Sequence, residues 1–92
     1  MPILDDRLRE LTNIRFEPHV MVLEFADGGW ASAPYWWYPR LLNATDEQRR
    51  NYWLSGAGIG IHWPDIDEDL SINGILEGRK APKAVRPQAA AE

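Results

Sequence analysis

The stretch Gly60-Ile61-His62-Trp63-Pro64-Asp65-Ile66-Asp67-Glu68-Asp69-Leu70-Ser71 is the densest part of this 92-residue chain in chemically distinctive side chains. The run 59–63 is polar only at His62, a pattern that predicts a short strand. Pro64 cannot donate a ladder hydrogen bond, so we expect the strand to end there. The acids that follow predict a turn, and Ser71 can cap a short helix after it.

Two β-rich runs joined by a tight turn lie well before this stretch. Residues 14–17 and 19–25 predict two strands separated by Pro18, and residues 30–35 predict a returning strand. The turn Asp27-Gly28-Gly29 consists of residues that tolerate positive φ, which is typical of a hairpin. We therefore expect antiparallel pairing in this half of the chain.

Thr45 begins the clearest helix in the sequence. Gln48 completes a capping box with it, and Asp46 and Glu47 lie at the positive end of the helix dipole. We expect this helix to run to about residue 53, with Tyr52 and Trp53 as its aromatic anchors. It should therefore contribute aromatic side chains to the core.

Shorter helices are expected on either side of it. Pro39 suits a first helical turn, and residues 71–78 predict a third helix of at most two turns. Residues 1–12 fit either a short helix or an irregular arm. The fold class is α+β, with a small antiparallel sheet of about four to five strands packed against two or three short helices. We expect one domain over residues 1–78 and a disordered basic tail over 79–92.

Charge and composition exclude several classes of function. The net charge is −4, and the tail holds four basic residues and one acid, a net of +3, which leaves −7 on residues 1–78. Because phosphate binding needs clustered Lys and Arg, we expect no nucleic-acid partner. There is no cysteine and no apolar run near the roughly 20 residues of a membrane helix, so we expect a cytoplasmic protein without membrane attachment.

The acidic stretch matches only the opening of a calcium loop. Asp65-x-Asp67-x-Asp69 starts like an EF-hand, which needs glycine at its sixth position and glutamate at its twelfth. Leu70 and Leu76 occupy those positions, so we assign no metal site and no cofactor.

His62 has two interpretations. We expect it to be a structural histidine bonded to a carboxylate or a carbonyl. The alternative is a metal-dependent or acid–base enzyme centred on His62 and the Asp65–Asp69 carboxylates. No serine, threonine or cysteine has a base partner at a recognised spacing, so we assign no catalytic residue.

The aromatic residues suggest an interaction surface. Adjacent Trp36 and Trp37 cannot both point to one face of a strand, so we expect at least one at the surface, where tryptophan is typical of binding hot spots. Aromatic and charged side chains near the two motifs are therefore the candidate partner-binding residues. They are Trp36, Tyr38, Arg40, His62, Trp63, Asp65, Asp67, Glu68 and Asp69.

The segment Trp37-Tyr38-Pro39-Arg40-Leu41 and the stretch 60–71 together resemble a bacterial family of domains of unknown function, numbered 2442. The Asp-Gly hairpin and the Ala-Thr-x-Glu-Gln-Arg helix fit the same family, and the resemblance covers residues 14–78. It implies a compact α+β fold without established catalytic residues. It also implies an antitoxin-like domain that partners a neighbouring toxin-like protein.

These observations favour a non-enzymatic interaction module. The acidic body is complementary to a basic protein partner, since opposite charges steer association. Unpaired sheet edges in so small a domain also leave a homodimer open.

Overall fold

The structure, a computed structural model, describes residues 10–87. Its first sheet contains three antiparallel strands, β1 (Leu11–Phe16), β2 (Val20–Phe25) and β3 (Trp30–Pro34), with β2 in the centre. Alternate residues of β2 face the core because side chains alternate along a strand. The predicted antiparallel pairing in this half of the chain is confirmed.

The hairpin between β2 and β3 forms where the sequence places it. Gly28 has a φ of 88°, a value that favours glycine because it lacks a Cβ. The backbone N–H of Gly29 donates to Oδ1 of Asp27 over 2.7 Å. The predicted turn is therefore confirmed, with a side chain that supports it.

Two short helices link the sheets. A 3-10 turn at Tyr35–Trp37 leads into α1 (Pro39–Leu42), and α2 (Asp46–Arg50) follows. The capping box is confirmed, since the N–H of Gln48 donates to Oγ1 of Thr45 over 3.1 Å and Oε1 of Gln48 accepts from the N–H of Thr45. The predicted helix end near residue 53 is wrong, because the chain leaves the helix after Arg50.

The second half of the chain forms a separate sheet of β4 (Trp53–Ser55), β5 (Gly60–Trp63) and β6 (Glu68–Ser71), with β5 in the centre. The prediction of one sheet with four to five strands is therefore wrong for the described residues, which form two sheets of three. The helices between β3 and β4 separate the two groups of strands. The acids were expected in a turn, but Glu68 and Asp69 pair with β5 instead.

The third helix, α3 (Ile72–Leu76), starts as predicted. Oγ of Ser71 accepts from the N–H of Gly74 over 3.1 Å, so the cap is confirmed. Beyond it, no helix or strand occurs in the described part of the tail, residues 79–87. The first tail residues contact the body, because the N–H of Ala81 donates to the carbonyl of Trp37 over 2.9 Å. Residues 88–92 lie outside the described range.

The predicted N-terminal helix or arm falls mostly on residues 1–9, which also lie outside the described range. Its last two residues, Leu11 and Thr12, belong to β1. Leu11 is buried, so its apolar side chain packs in the core.

One apolar core joins both sheets and α3. Met21 and Leu23 from the first sheet, and Ile61 and Trp63 from the second, are fully buried. The remaining core members come from the first sheet, the 3-10 turn and α1 with the residue between them, and α3: Leu11, Ile14, Phe25, Ala33, Tyr35, Tyr38, Leu41, Ile72 and Ile75. Among residues 10–87, no helix is long and apolar enough to cross a membrane.

Candidate functional site

The outer face of the second sheet carries a row of three side chains, one from each strand. Trp53 on β4 is paired in register with His62 on β5, which is paired with Asp69 on β6. The rings of Trp53 and His62 lie 5.0 Å apart at 38°, and Nδ1 of His62 lies 2.8 Å from Oδ1 of Asp69. We call this set the Trp53–His62–Asp69 row.

The row is exposed at both ends and covered in the middle. Trp53 is 54% exposed, and the side chains of Asp69 and His62 are 69% and 24% exposed. The carboxylate fixes the orientation of the imidazole, and the imidazole supports the indole. The predicted hydrogen bond of His62 to a carboxylate is confirmed, with Asp69 as its partner. The row presents an aromatic surface beside a negative charge.

The acidic turn, residues 64–67, lies at one end of this sheet. Oδ2 of Asp65 accepts from Nδ2 of Asn51 over 3.0 Å, which ties the turn to the residues just before β4. Asp67 has a φ of 54°, a left-handed conformation that Asp tolerates better than most residues. Its carbonyl accepts from the guanidinium of Arg40. Arg40 therefore positions the turn, and the exposed carboxylates of Asp65 and Asp67 face solvent.

Glu68 occupies a different environment from the other acids. Burial raises the pKa of its half-buried carboxyl, and the charges of Asp69 and Asp67 add to this effect. The N–H of Asp69, which lowers the pKa, donates to Oε1 of Glu68 over 3.1 Å. Burial also raises the pKa of the neighbouring Tyr38 to about 12, and the charge of Glu68 contributes.

Two of the candidate residues lie in the core. Trp63 is fully buried and Tyr38 nearly so. Nε1 of Trp63 donates to the carbonyl of Arg49 over 2.9 Å, and the hydroxyl of Tyr38 donates to the carbonyl of Arg79 over 3.2 Å. These side chains shape the surface from beneath, and a partner would not touch them directly.

Trp36 lies with its neighbour under the start of the tail. The ammonium of Lys80 is 4.8 Å from the ring centroid of Trp37 and 6.0 Å from that of Trp36. Both indoles are half-buried. A cation–π contact at an exposed site contributes about 0.5–1 kcal/mol, so Lys80 holds the tail to the body only weakly.

Comparison with known proteins places the chain in a family. A family model described as "Protein of unknown function (DUF2442)" matches residues 11–81. The chain belongs to the DUF2442 family. The resemblance noted in the sequence is therefore confirmed as to family. No curated protein matches the chain.

Two solved structures share the DUF2442 fold seen here. One is the crystal structure of a protein of unknown function from Rhodospirillum rubrum, with a TM-score of 0.69 and 26% sequence identity, covering 82% of this chain and 93% of that one. The other is the solution structure of the uncharacterized protein CV0863 from Chromobacterium violaceum. It has a TM-score of 0.67 and 26% identity, covering 80% of this chain and 70% of that one.

The candidate partner-binding residues predicted from the sequence leave out three exposed apolar residues of this DUF2442 domain, Trp53 of the row and its neighbours Leu54 and Ile59. Trp53 was assigned to a helix, yet it opens β4, where Leu54 is 42% exposed. Ile59, just before β5, is 69% exposed. The glycines between β4 and β5 were the available signal, because a glycine-rich turn before a strand also predicts a partner strand on its other side.

The described residues of this DUF2442 domain offer few metal ligands. Within residues 10–87, no group of three or more His, Asp or Glu side chains is arranged to hold a metal ion. His62 and Asp69 supply one imidazole and one carboxylate. The arrangement can bind a partner through hydrogen bonds, aromatic contact and charge.

Proposed function

We propose that this chain is a non-enzymatic, cytoplasmic interaction module that binds a basic protein, in the manner of an antitoxin that covers a neighbouring toxin-like protein. The binding surface consists of the Trp53–His62–Asp69 row and the acidic turn. The observation that carries the proposal is the half-exposed indole of Trp53, held on a strand against His62, which in turn bonds the exposed carboxylate of Asp69.

An anchored tryptophan suits protein recognition. It offers a large apolar area and a donor N–H, and it loses little conformational entropy on binding. The contact with His62 restrains Trp53 before a partner arrives, which lowers the entropy cost further. Such aromatic anchors supply most of the binding energy in typical interfaces.

The charge of the surface selects the partner. Asp65, Asp67 and Asp69 are exposed in one stretch of the chain, and the body as a whole carries a net charge of −7. Complementary charge raises the association rate with a basic partner and disfavours acidic ones. A basic toxin-like protein fits this surface.

The hydrogen bond between His62 and Asp69 also favours the alternative, an acid–base or metal-dependent enzyme at the same place. A native-state ligand stabilises a protein by mass action, so a divalent ion bound there would raise the melting temperature. A thermal scan with millimolar calcium, magnesium, manganese and zinc separates the two functions. A shift with one ion that Asp69→Asn abolishes would favour the enzyme.

The test of the interaction module is co-expression with the product of the adjacent gene, followed by measurement of the mass and affinity of the complex. We expect a stable complex. Trp53→Ala should weaken it by a factor of roughly 30 or more, which corresponds to a hot spot of about 2 kcal/mol. The double variant Asp65→Asn, Asp67→Asn should slow association, most strongly at low salt.

Trp30→Ala is the matched control, because Trp30 is also an exposed tryptophan but lies on β3 of the first sheet. It should leave the affinity unchanged. Absence of a complex, or equal losses with Trp30→Ala and Trp53→Ala, would count against the proposed surface.

A further inference from the structure

The second sheet has two edges, and they differ in how they are protected. Its strand order places β5 in the centre, so β4 and β6 are both edge strands. An edge strand presents unpaired backbone groups to which another chain can add a strand, and natural proteins usually block such edges.

At the β6 edge, two charged side chains of the domain itself occupy backbone hydrogen-bonding groups. The carboxylate of Glu68 accepts from the backbone N–H of Asp69 over 3.1 Å. The guanidinium of Arg40 donates to the backbone carbonyl of Asp67, just before the strand. A donor and an acceptor that an incoming strand would need are thus already in use.

Within residues 10–87, the β4 edge is open at Leu54. The N–H of Ile72 donates to the carbonyl of Ile59 over 3.0 Å, which marks a hydrogen-bonded pair between the two chain segments. Hydrogen-bonded and non-hydrogen-bonded pairs alternate in an antiparallel ladder, so the next hydrogen-bonded pair is Ile61 with Leu70. The N–H and C=O groups of Ile61 therefore point toward β6. Its neighbour on β4, Leu54, therefore directs its own N–H and C=O away from β5.

Side chains do not block this edge either. Trp53, Leu54 and Ile59 are large apolar residues that are 54%, 42% and 69% exposed. The β4 strand itself, Trp-Leu-Ser, carries no charge and no proline, which are the usual means of protecting an edge. Within residues 10–87, the second sheet thus has one edge with two occupied backbone groups and one open, apolar edge.

We infer that the β4 edge is the docking site for an extended basic segment of the protein partner, which adds a fourth strand to the second sheet beside Leu54. This inference rests on the proposed function and specifies how the partner binds. Backbone hydrogen bonds supply affinity in this mode, and contacts with alternate side chains such as Trp53 supply specificity.

Charge identifies the occupant as a basic segment rather than a second copy of this chain. The hydrogen bond between Asn51 and Asp65 brings the acidic turn next to the start of β4. A second copy would bring the same acidic turn and its own net charge of −4 to the junction. A segment with lysine or arginine would meet carboxylates there instead.

A pair of substitutions at one position tests this geometry in the complex with the adjacent gene's product. Leu54→Pro removes the outward N–H and leaves the bonds from β4 to β5 in place. Leu54→Ala removes the side chain but keeps the N–H. We expect Leu54→Pro to weaken the complex at least tenfold more than Leu54→Ala. Equal effects in two variants with unchanged circular dichroism would overturn strand addition.

The unsubstituted protein provides a second test that does not depend on the folding of a variant. The amide of Leu54 should exchange rapidly with solvent in the free protein and at least tenfold more slowly in the complex. Unchanged exchange of this amide in a formed complex would overturn the inference.

The outcomes separate this inference from the proposed function. Loss of the complex on Trp53→Ala, with no change on Leu54→Pro, would retain the interaction module and reject strand addition. Absence of any complex would reject both. Sedimentation of the protein alone adds one more outcome, since a homodimer that Leu54→Pro dissociates would identify a second copy as the occupant and overturn the basic partner.

Discussion

The indole Nε1 of Trp63 donates a hydrogen bond to the backbone carbonyl of Arg49, with 2.9 Å between the two atoms. Arg49 in turn places its guanidinium 4.1 Å from the ring centroid of Tyr35 and donates to the carbonyl of Leu41. The second sheet is thereby joined through α2 to the 3-10 turn after β3 and to α1. The two sheets share this connection as well as the apolar core.

Trp63→Phe tests the contribution of that hydrogen bond. The carbonyl of Arg49 would lose its indole partner in a buried site, so we expect the free energy of unfolding to fall by ~1–3 kcal/mol. Chemical denaturation measures the change. Trp53→Phe, at an exposed position, should alter stability by no more than about 0.5 kcal/mol. Similar losses in both variants would argue against a specific role for the bond to Arg49.

Thr45→Ala tests the capping box of α2. The substitution leaves the N–H of Gln48 without its side-chain acceptor, and such losses typically reduce stability by about 1 kcal/mol. Thermal unfolding provides the measurement. Thr45→Ser retains the oxygen and should remain close to the parent protein. An unchanged melting temperature for Thr45→Ala would show that tertiary packing alone holds this short helix.

Glu68→Gln should stabilise the domain at neutral pH. Burial raises the pKa of Glu68, so the native state binds a proton more readily than the unfolded chain does. The ionised carboxylate therefore reduces stability progressively as the pH rises from its ordinary pKa through the raised one, and the loss persists above it.

Melting temperatures across a pH series test whether the ionised carboxylate of Glu68 lowers the stability of the domain. The Gln variant should melt higher than the parent at pH 7, and the difference should shrink as the pH falls below the ordinary carboxyl pKa. A lower melting temperature for the variant at pH 7 would mean that the attraction of Arg40 for the carboxylate outweighs its desolvation.

The hydroxyl of Tyr38 should ionise well above the usual range for a tyrosine. Burial raises the pKa of Tyr38 to about 12 and also raises that of Tyr35. Stability should therefore fall as the pH passes from the ordinary tyrosine pKa toward 12, because the native state retains these protons longer. The ultraviolet absorbance of tyrosinate measures the ionisation of the tyrosines as the pH rises. The Tyr38→Phe variant should lack the component that ionises at the highest pH. A component that survives in Tyr38→Phe would assign it to Tyr35.

The features that depend on neighbours in the chain could be predicted from the sequence. The capping box at Thr45, the cap at Ser71 and the turn at Asp27 each require partners only two or three residues away. Pro64 also ends β5 for a local reason, since it cannot donate to a ladder. The geometry of such motifs is determined by the few residues within them.

The second sheet depends on partners that are distant in the chain, and for this reason the sequence does not predict β4 and β6. β4 has three residues, too few to show a period. Glu68 and Asp69 have poor intrinsic strand propensity, and they form β6 because β5 pairs with them. The candidate site shows the same division, since the pairing of His62 with a carboxylate was predicted. Trp53, which was assigned to a helix, joins that pair only through the register of β4 and β5.

The length of β4 also bears on solubility. Cross-β fibrils form on segments of roughly six or seven residues with high strand propensity and low charge. β4 stops after Ser55, and Gly56, with a φ of 58°, turns the backbone out of the extended conformation. The apolar β4 edge is therefore shorter than the segments on which such fibrils form, which limits edge-to-edge strand addition between copies of this domain.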